Sequence, residues 1–168
     1  MNKTIKTIVA TTFTVGTLLA GFSQIGLVDA SPIVPTQQST TQQQNHQKLI
    51  KETKQLAVEG KVINSESFGL DSSRDAIVKK WGKPDPDSDA QTLFYTKRQI
   101  VFELQKNKVK TVDSMDKRFE NITEKEIKQA LGKPNDVKRY EDGTEMYYKA
   151  GKHTLCFVLG SVVEVVVY

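Results

Sequence analysis

Trp81-Gly82-Lys83-Pro84-Asp85 recurs later in the chain as Leu131-Gly132-Lys133-Pro134-Asn135. In each copy a glycine follows the last apolar residue of a short amphipathic segment, and a proline stands two residues further on. Glycine adopts the left-handed conformation that commonly ends a helix, and proline cannot continue one. The lysine between them is driven to an extended backbone because it precedes proline. Each copy therefore predicts that a helix ends and that an extended chain leaves it.

The residues before each copy predict a short helix. Thr123 and Glu126 fit a capping box at the start of the second helix. The start of the first helix stays open, because Ser72 fits a box with Asp75 whereas Ser73 is the counterpart of Thr123. The apolar stripes, which we expect to face the core, are Ile77, Val78 and Trp81 in the first helix and Ile127, Ala130 and Leu131 in the second.

After each helix the chain changes to short runs with strand-like alternation. These runs cover residues 93–96, 100–104 and 108–112 in the first unit and residues 145–149, 154–159 and 162–168 in the second. The pattern predicts an α+β fold, a tandem repeat of a helix followed by three antiparallel strands, with the helices on one face of the sheet. Repeat 1 spans about residues 70–113 and repeat 2 about residues 122–168.

A further helix is predicted before the first repeat, from Asn45 to about Val58, with Gly60 as its stop. The last run, residues 162–168, has strong β propensity and one charged residue, so at the edge of a sheet it would promote aggregation. We therefore expect this strand to be central, or paired with its neighbour from the other repeat. Its inward residues are expected to be Val163, Val165 and Val167.

Residues 1–30 have the pattern of a secretory signal peptide. Lys3 and Lys6 give a positive start, an uncharged apolar stretch follows, and small residues precede Ser31. A retained membrane anchor is the alternative, since the apolar stretch is long enough to span a bilayer. Residues 31–44 are rich in Gln, Ser, Thr and Pro and predict a disordered linker. The pattern predicts a secreted protein with its folded domain in residues 45–168 and with no stable membrane insertion after cleavage.

The charge of the chain argues against nucleic acid as a partner. Removal of residues 1–30, which hold two lysines and one aspartate, lowers the formal net charge from +4 to +3. The lysines alternate with acidic residues and form no basic stripe. Cys156 is the only cysteine of the chain, so an intrachain disulfide is excluded and the core alone must stabilise the fold.

The residues that could support catalysis or bind a metal are not grouped by spacing. His153 and Cys156 lie three positions apart in one predicted strand, so their side chains point to opposite faces, and the apolar neighbours of Cys156 indicate a buried thiol. Asp85, Asp87 and Asp89 alternate as at the start of an EF-hand calcium loop, but the glycine and the bidentate glutamate of that loop are missing. We predict no enzymatic activity, no cofactor and no specific metal site, while weak calcium binding stays open.

Several segments carry a resemblance to a known family. They are Leu56-Ala57-Val58-Glu59-Gly60-Lys61-Val62, the two Gly-Lys-Pro phrases, Asp116-Lys117-Arg118 and Tyr148-Lys149-Ala150-Gly151-Lys152-His153. Over residues 47–168 the chain resembles the YjgB-like family of secreted proteins of Gram-positive bacteria, which implies an extracellular location and no assigned activity. At a greater distance it is similar to the β-lactamase-inhibitor-protein and BamE-like fold, which implies binding through the open face of a sheet. The chain lacks the disulfides of the inhibitor, so β-lactamase inhibition is not implied.

Two aromatic pairs provide the candidate binding residues. In Phe94-Tyr95 and in Tyr147-Tyr148 the neighbours point to opposite faces of the sheet, so one of each pair faces away from the helices. Exposed tyrosines beside cations have the composition of a protein-binding surface. The alternative is that these tyrosines only cover the second face of the sheet. The candidate site residues are Tyr95, Lys97, Arg98, Tyr148 and Lys149.

These observations predict a secreted, non-enzymatic module that binds a secreted or cell-envelope protein. The alternative is a wall-associated protein that binds an anionic polymer or calcium through its surface lysines or residues 85–89. Salt dependence separates the two, because salt screens the attraction between lysines and a polymer.

Overall fold

The computed structural model describes residues 37–168, with the burial of side chains described from residue 41. The predicted signal peptide, residues 1–30, and residues 31–36 of the predicted linker lie outside the described residues. The elements are, in chain order, α1 (Gln37–Val58), α2 (Arg74–Trp81), β1 (Thr92–Tyr95), β2 (Ile100–Gln105), β3 (Lys108–Ser114), α3 (Glu124–Leu131), β4 (Asp136–Arg139), β5 (Thr144–Ala150), β6 (His153–Leu159) and β7 (Val163–Val167), with 3-10 turns at Thr96–Arg98 and Lys117–Phe119. The predicted α+β class is confirmed. Among the described helices, none combines the length and the hydropathy that a membrane span needs.

Helix α1 begins earlier than the sequence predicts. It starts at Gln37 and not at Asn45, so the prediction of a disordered linker is wrong for residues 37–44. Glutamine is a good helix former, and within the added turns Nε2 of Gln43 donates to Oε1 of Gln129 in α3 at 3.2 Å. The Nδ1 atom of His46 lies 2.9 Å from Oε1 of Glu126, and both side chains are largely buried.

The two short helices begin at the expected capping residues. The hydroxyl of Ser73 accepts a hydrogen bond from the amide of Ala76 at 3.2 Å, which selects Ser73 as the cap of α2. The capping box of Thr123 and Glu126 is formed in both directions at the start of α3. Local sequence chemistry therefore fixes both starts.

Both helices end at glycines with positive φ, as predicted. The φ angles are +86° at Gly82 and +79° at Gly132, and their amides donate to the carbonyls of Val78 and Lys128 at 2.9 Å. The ψ angles of −170° and −159° differ from the expected left-handed helical value and send the chain out extended. This geometry turns each glycine carbonyl away from the helix, where a side chain can reach it.

The seven strands of the described residues form one antiparallel sheet in the order β1-β2-β3-β7-β6-β5-β4. Strands β3 and β7 join its two halves, with pairs running from Val112–Val167 to Ser114–Val165. The last strand is therefore central and paired with the first half, as predicted. Val165 and Val167 are fully buried, and Val163 packs partly buried against the core.

The second half contains one strand more than predicted. Strand β4, Asp136–Arg139, pairs with β5 and forms an edge of the sheet. The prediction of three strands after the helix is correct for β1–β3 and wrong for the second unit, which has four. A short, charged edge strand has no buried face to impose a hydrophobic alternation, so its sequence does not reveal it.

The helices pack on one face of the sheet. The strand registers align a row of core residues on this side: Leu93, Phe102, Val112, Val167, Leu155 and Tyr148. This row shares a buried cluster with Ile50 and Ala57 of α1, Ile77 of α2 and Ile127 of α3. Trp81 packs at the rim of the cluster, partly buried. The opposite side of the sheet is called the open face below.

Candidate binding face

The open face carries the alternate residues that do not enter the helix-side core. The registers align one residue from each strand in a continuous row: Phe94, Val101, Asp113, Val166, Cys156, Tyr147 and Asp136. Residues two positions along each strand lie on the same face, which adds Glu103, Lys138, Glu145, Lys149, Glu164 and Tyr168. The helix residues of the buried cluster lie on the other side of the sheet. The open face is therefore the one for which the sequence analysis predicts binding.

Three tyrosines stand on the open face in the half formed by β4–β7. Tyr140 and Tyr168 are 54% and 45% exposed, and Tyr147 is half-buried. The hydroxyls of Tyr140 and Tyr147 both donate to Oε2 of Glu145, that of Tyr140 at 3.2 Å. Burial and this hydrogen bond raise the pKa of Tyr147 well above its usual range, so its hydroxyl remains a donor. We call Tyr140, Tyr147, Tyr168, Glu145 and Lys138 the tyrosine face.

One cation is already bound within the tyrosine face. The ammonium of Lys138 lies 4.7 Å from the centroid of the Tyr147 ring and 3.3 Å from its hydroxyl. Lys138 stands opposite Glu145 in the register of β4 and β5. The ring of Tyr147 therefore acts as a cation–π acceptor in this structure.

Carboxylates outnumber cations on the open face. Burial raises the pKa of Asp113 to about 8, and the charges of Glu164 and Glu103 add to that effect. The Oδ1 atom of Asp113 is buried and has no hydrogen-bond partner among the described residues, and burial also raises the pKa of Glu164. The acidic residues of the face are Glu103, Asp113, Asp136, Glu145 and Glu164, and its basic residues are Lys108, which pairs with Gln105, Lys138 and Lys149. In a chain of net charge +4, carboxylates are thus in excess on the open face.

The two tyrosines predicted to be exposed are buried on the helix side. Tyr95 is 6% and Tyr148 is 3% exposed, which corrects the expectation that they form a binding surface. Their hydroxyls donate to the carbonyls of Gly82 and Gly132 at 2.9 and 3.2 Å. Burial raises the pKa of Tyr148 to about 12. Each tyrosine ring packs beneath a helix end because the carbonyl of the extended glycine accepts a hydrogen bond from its hydroxyl. Phe94 and Tyr147, the other members of the two pairs, therefore lie on the open face.

The three predicted cations are exposed but are not brought together. Lys97 and Arg98 lie in the 3-10 turn after edge strand β1, whereas Lys149 lies in β5, beside the other edge. The guanidinium of Arg98 is 4.4 Å from the centroid of the Trp81 ring and 2.7 Å from Oε1 of Glu66. Arg98 thus binds within its own fold, and of the three only Lys149 shares the face of the tyrosines.

The acidic loop after α2 uses two of its carboxylates to hold its own backbone. Asp85 accepts hydrogen bonds from the amide and the hydroxyl of Thr96 at 2.7 and 2.6 Å, and these bonds lower its pKa. Asp89 accepts from the amides of residues 91 and 92, both at 2.7 Å. Within residues 37–168, no three His, Cys, Asp or Glu side chains are arranged to hold a metal ion.

Cys156 lies in the central row of the open face and is 3% exposed. Its burial is as predicted, although the thiol lies on the face away from the helices. Burial raises the pKa of the thiol to about 12, so it stays protonated at neutral pH. His153 has the parity of Leu155 and faces the helix side, where its Nε2 approaches Gly60. The predicted separation of His153 from Cys156 is confirmed.

None of the five members of the tyrosine face is among the candidate site residues predicted from the sequence, and Tyr147 entered that prediction only as the neighbour of Tyr148. Tyr140 follows β4, a strand that the sequence pattern does not reveal, at the parity of Asp136 and Lys138. Tyr168 has the parity of Glu164, which was available from the predicted orientation of the last strand. Alternation within each segment was therefore the signal for both residues.

Comparison with known proteins gives a family and a fold. A family model described as "Domain of unknown function (DUF4309)" matches residues 50–166. The crystal structure of a DUF4309 family protein, YjgB from Bacillus subtilis subsp. subtilis str. 168, is similar with a TM-score of 0.60 and 18% sequence identity. That similarity covers 74% of this chain and 97% of the other, and at this identity it concerns the fold alone. Among curated proteins, none matches the chain.

Proposed function

The chain belongs to the family described as Domain of unknown function (DUF4309), as its YjgB-like segments indicate, and on that premise we propose that it is an exported, non-enzymatic protein that binds another protein through the tyrosine face. The family description names no activity, so the proposal rests on the site. The observation that carries it is the grouping of Tyr140, Tyr147 and Tyr168 on the open face, with two of them about half exposed.

The arrangement of these tyrosines favours an interface over a simple cover for the sheet. Single exposed aromatic residues are common on soluble proteins. Here Tyr140 and Tyr147 share one acceptor on Glu145, which fixes both rings before any partner arrives. Fixed tyrosines lose little conformational entropy on binding and are enriched at protein interfaces. The tyrosine face therefore has the composition and the rigidity of a binding surface.

We also infer that the two units, α2–β3 and α3–β7, are tandem repeats of one ancestral unit. The amide of Asp85 donates to the carbonyl of Phe94 at 2.9 Å, and the amide of Asn135 donates to that of Tyr147 at 2.8 Å. In both units the next tyrosine donates to the glycine at the end of the helix. Matching hydrogen bonds of this kind support duplication, with β4 as an addition to the second unit. The distant likeness to the β-lactamase-inhibitor-protein and BamE-like fold enters the proposal only as a precedent for binding through an open sheet.

Export is proposed from the pattern of residues 1–30. The test is to locate the protein in the producing cells and to measure the mass of its mature form. Export predicts a chain in the medium or envelope that begins at Ser31. A full-length chain in the soluble cell fraction would contradict export, and a full-length chain in the membrane would support the anchor instead.

Partner capture with matched variants tests the binding proposal. Residues 31–168 are immobilised and exposed to secreted and envelope proteins, beside a Tyr140→Ala/Tyr168→Ala variant and a Val58→Ala control. Val58, at the end of α1, is 50% exposed and so is a comparable surface change outside the tyrosine face. We expect a protein that is retained by the parent and by Val58→Ala and is lost by the double variant. Equal retention by all three, with unchanged circular dichroism, would remove the tyrosine face from the proposal.

A second candidate function is binding of an anionic polymer at one end of the sheet. The β2–β3 turn and the β5–β6 turn lie at the same end, where Lys108 and Lys110 stand at the start of β3 and Lys152 stands in the β5–β6 turn. A hydrogen bond from Lys110, with the charges of Lys110, Lys152 and Lys108, lowers the pKa of Asp71. This clustering favours the polymer over calcium, whose candidate carboxylates hold their own loop. Retention on wall material that persists at high salt would contradict it.

A further inference from the structure

We propose that the partner presents a cationic segment, whose lysine or arginine side chains bind the rings and the carboxylate of the tyrosine face. The inference rests on the proposed function and adds to it the chemistry of the partner.

The carboxylates of the open face are not neutralised from within the described residues. The acidic members of the ion pairs within residues 37–168 are Glu59, Glu66, Asp71, Asp116, Glu124 and Glu126. None of these residues belongs to the open face. Glu145 and Glu164 lie on the same row of the face, on either side of Val158, and both are half-buried and lack an ion-pair partner within residues 37–168. Two half-buried carboxylates without an ion-pair partner among the described residues thus lie on the face that carries the tyrosines.

Glu145 is placed to receive a donor. Its Oε2 accepts from Tyr140 and Tyr147, and no hydrogen bond from a described residue uses its Oε1. An incoming ammonium or guanidinium would find a charged acceptor on Oε1 with phenol rings beside it. Charge-assisted hydrogen bonds are stronger than neutral ones, and aromatic rings attract cations over their faces.

Lys138 shows that the chemistry of this site suits an ammonium. Although it stands opposite Glu145 in the register, its ammonium rests over the Tyr147 ring and forms no ion pair with that carboxylate within 4.0 Å. The side chain of Lys138 therefore occupies one position that a partner cation would take, and it competes with the partner there.

Other kinds of partner fit the face less well. An apolar segment would bury Glu145 and Glu164 without a compensating charge, and burial of an unpaired carboxylate is costly. An acidic segment would add repulsion between like charges. A cationic segment satisfies both carboxylates and uses the rings, so charge complementarity selects it.

A labelled oligolysine peptide, titrated against residues 31–168 by fluorescence anisotropy, is the probe. A Glu145→Gln/Glu164→Gln variant removes two charges from the open face, and a Glu59→Gln/Glu120→Gln variant removes two exposed charges elsewhere. We expect the first to weaken binding by about tenfold or more and the second by less than about twofold. Equal losses would show nonspecific charge attraction and would overturn the proposal, as would tighter binding of oligoglutamate.

A loss of binding could also result from misfolding, so a variant that is expected to bind oligolysine more tightly is the necessary complement. Lys138→Met removes the internal cation and keeps the aliphatic stem, so oligolysine should bind about two- to fivefold more tightly. Unchanged or weaker binding would contradict the role of the rings. Failure of this inference is distinguishable from failure of the proposed function. A captured protein that needs Tyr140 and Tyr168 but is not displaced by oligolysine would leave the binding proposal intact and refute the cationic partner.

Discussion

Replacement of Asp113 by asparagine should make the protein less sensitive to alkaline pH. Burial, helped by the charges of Glu164 and Glu103, raises the pKa of Asp113 from 3.8 to about 8. An aspartate with a raised folded pKa holds its proton more tightly in the folded state than in the unfolded state. Its contribution to the free energy of unfolding is therefore complete below the unfolded pKa, falls as pH rises between the two pKa values, and is lost above the folded pKa.

The magnitude follows from the width of that window. One pKa unit corresponds to about 1.4 kcal/mol, and most of the window from 3.8 to about 8 lies between pH 5 and pH 9. The stability advantage of Asp113→Asn over the parent should therefore grow by about 3–5 kcal/mol between about pH 5 and about pH 9. The fixed cost of burying an amide cancels in this comparison, because it is the same at both pH values.

Urea unfolding followed by fluorescence measures this growth, since Trp81 is the only tryptophan and packs at the rim of the core. Glu59→Gln is the control, because it removes a carboxylate whose side chain is 60% exposed. The control should follow the pH profile of the parent. If Asp113→Asn also follows that profile, with unchanged m values, then Asp113 is not held protonated by its burial and the reasoning is wrong.

Three further changes test the helix contacts and helix ends. His46→Ala should lower the free energy of unfolding, measured by urea titration, by about 1–3 kcal/mol, because it leaves Glu126 buried without this partner. A double-mutant cycle with Glu126→Gln should show that the two changes are coupled. Additive effects would contradict the contact. Tyr148→Phe removes the hydrogen bond to the Gly132 carbonyl and should cost about 0.5–1.5 kcal/mol, while partner capture stays unchanged if the residue is purely structural. Gly132→Ala meets no atom within 4 Å of the added methyl group, so any loss near 1 kcal/mol in thermal unfolding comes from its φ of +79°, and an unchanged melting temperature would disprove that strain.

The features that sequence predicts well are those whose cause is local. The Thr123 and Glu126 box, the Ser73 cap and the glycine ends of α2 and α3 each depend on a few neighbouring residues. The central place of β7 also follows from sequence, because an apolar strand of that composition is hazardous at an edge. Such features need no knowledge of what lies across the fold.

The features that sequence does not predict depend on distant partners. In Tyr147-Tyr148 both members suit either face of a strand, and the Gly132 carbonyl, which accepts a hydrogen bond from Tyr148, favours Tyr148 on the helix side. The added turns of α1 lie beside α3, where Gln129 accepts a hydrogen bond from Gln43. From its composition the glutamine-rich segment 37–44 is predicted to be a linker, because its sequence has no apolar periodicity. The sequence therefore placed the candidate site on the open face, but Tyr95 and Tyr148, the tyrosines it chose, are the members of their pairs that face the helices.

The position of β7 also governs the order in which the molecule can assemble. It follows the other six described strands along the chain, yet it joins β3 to β6 in the middle of the sheet. Until β7 pairs with them, β3 and β6 each have an unpaired edge. The pairing of Val112 with Val167 closes a long loop of the chain. Contacts of such wide sequence separation slow folding. The chain therefore cannot complete its sheet until the last strand is available, and the incomplete sheet, with two unpaired edges, is the species most prone to aggregate.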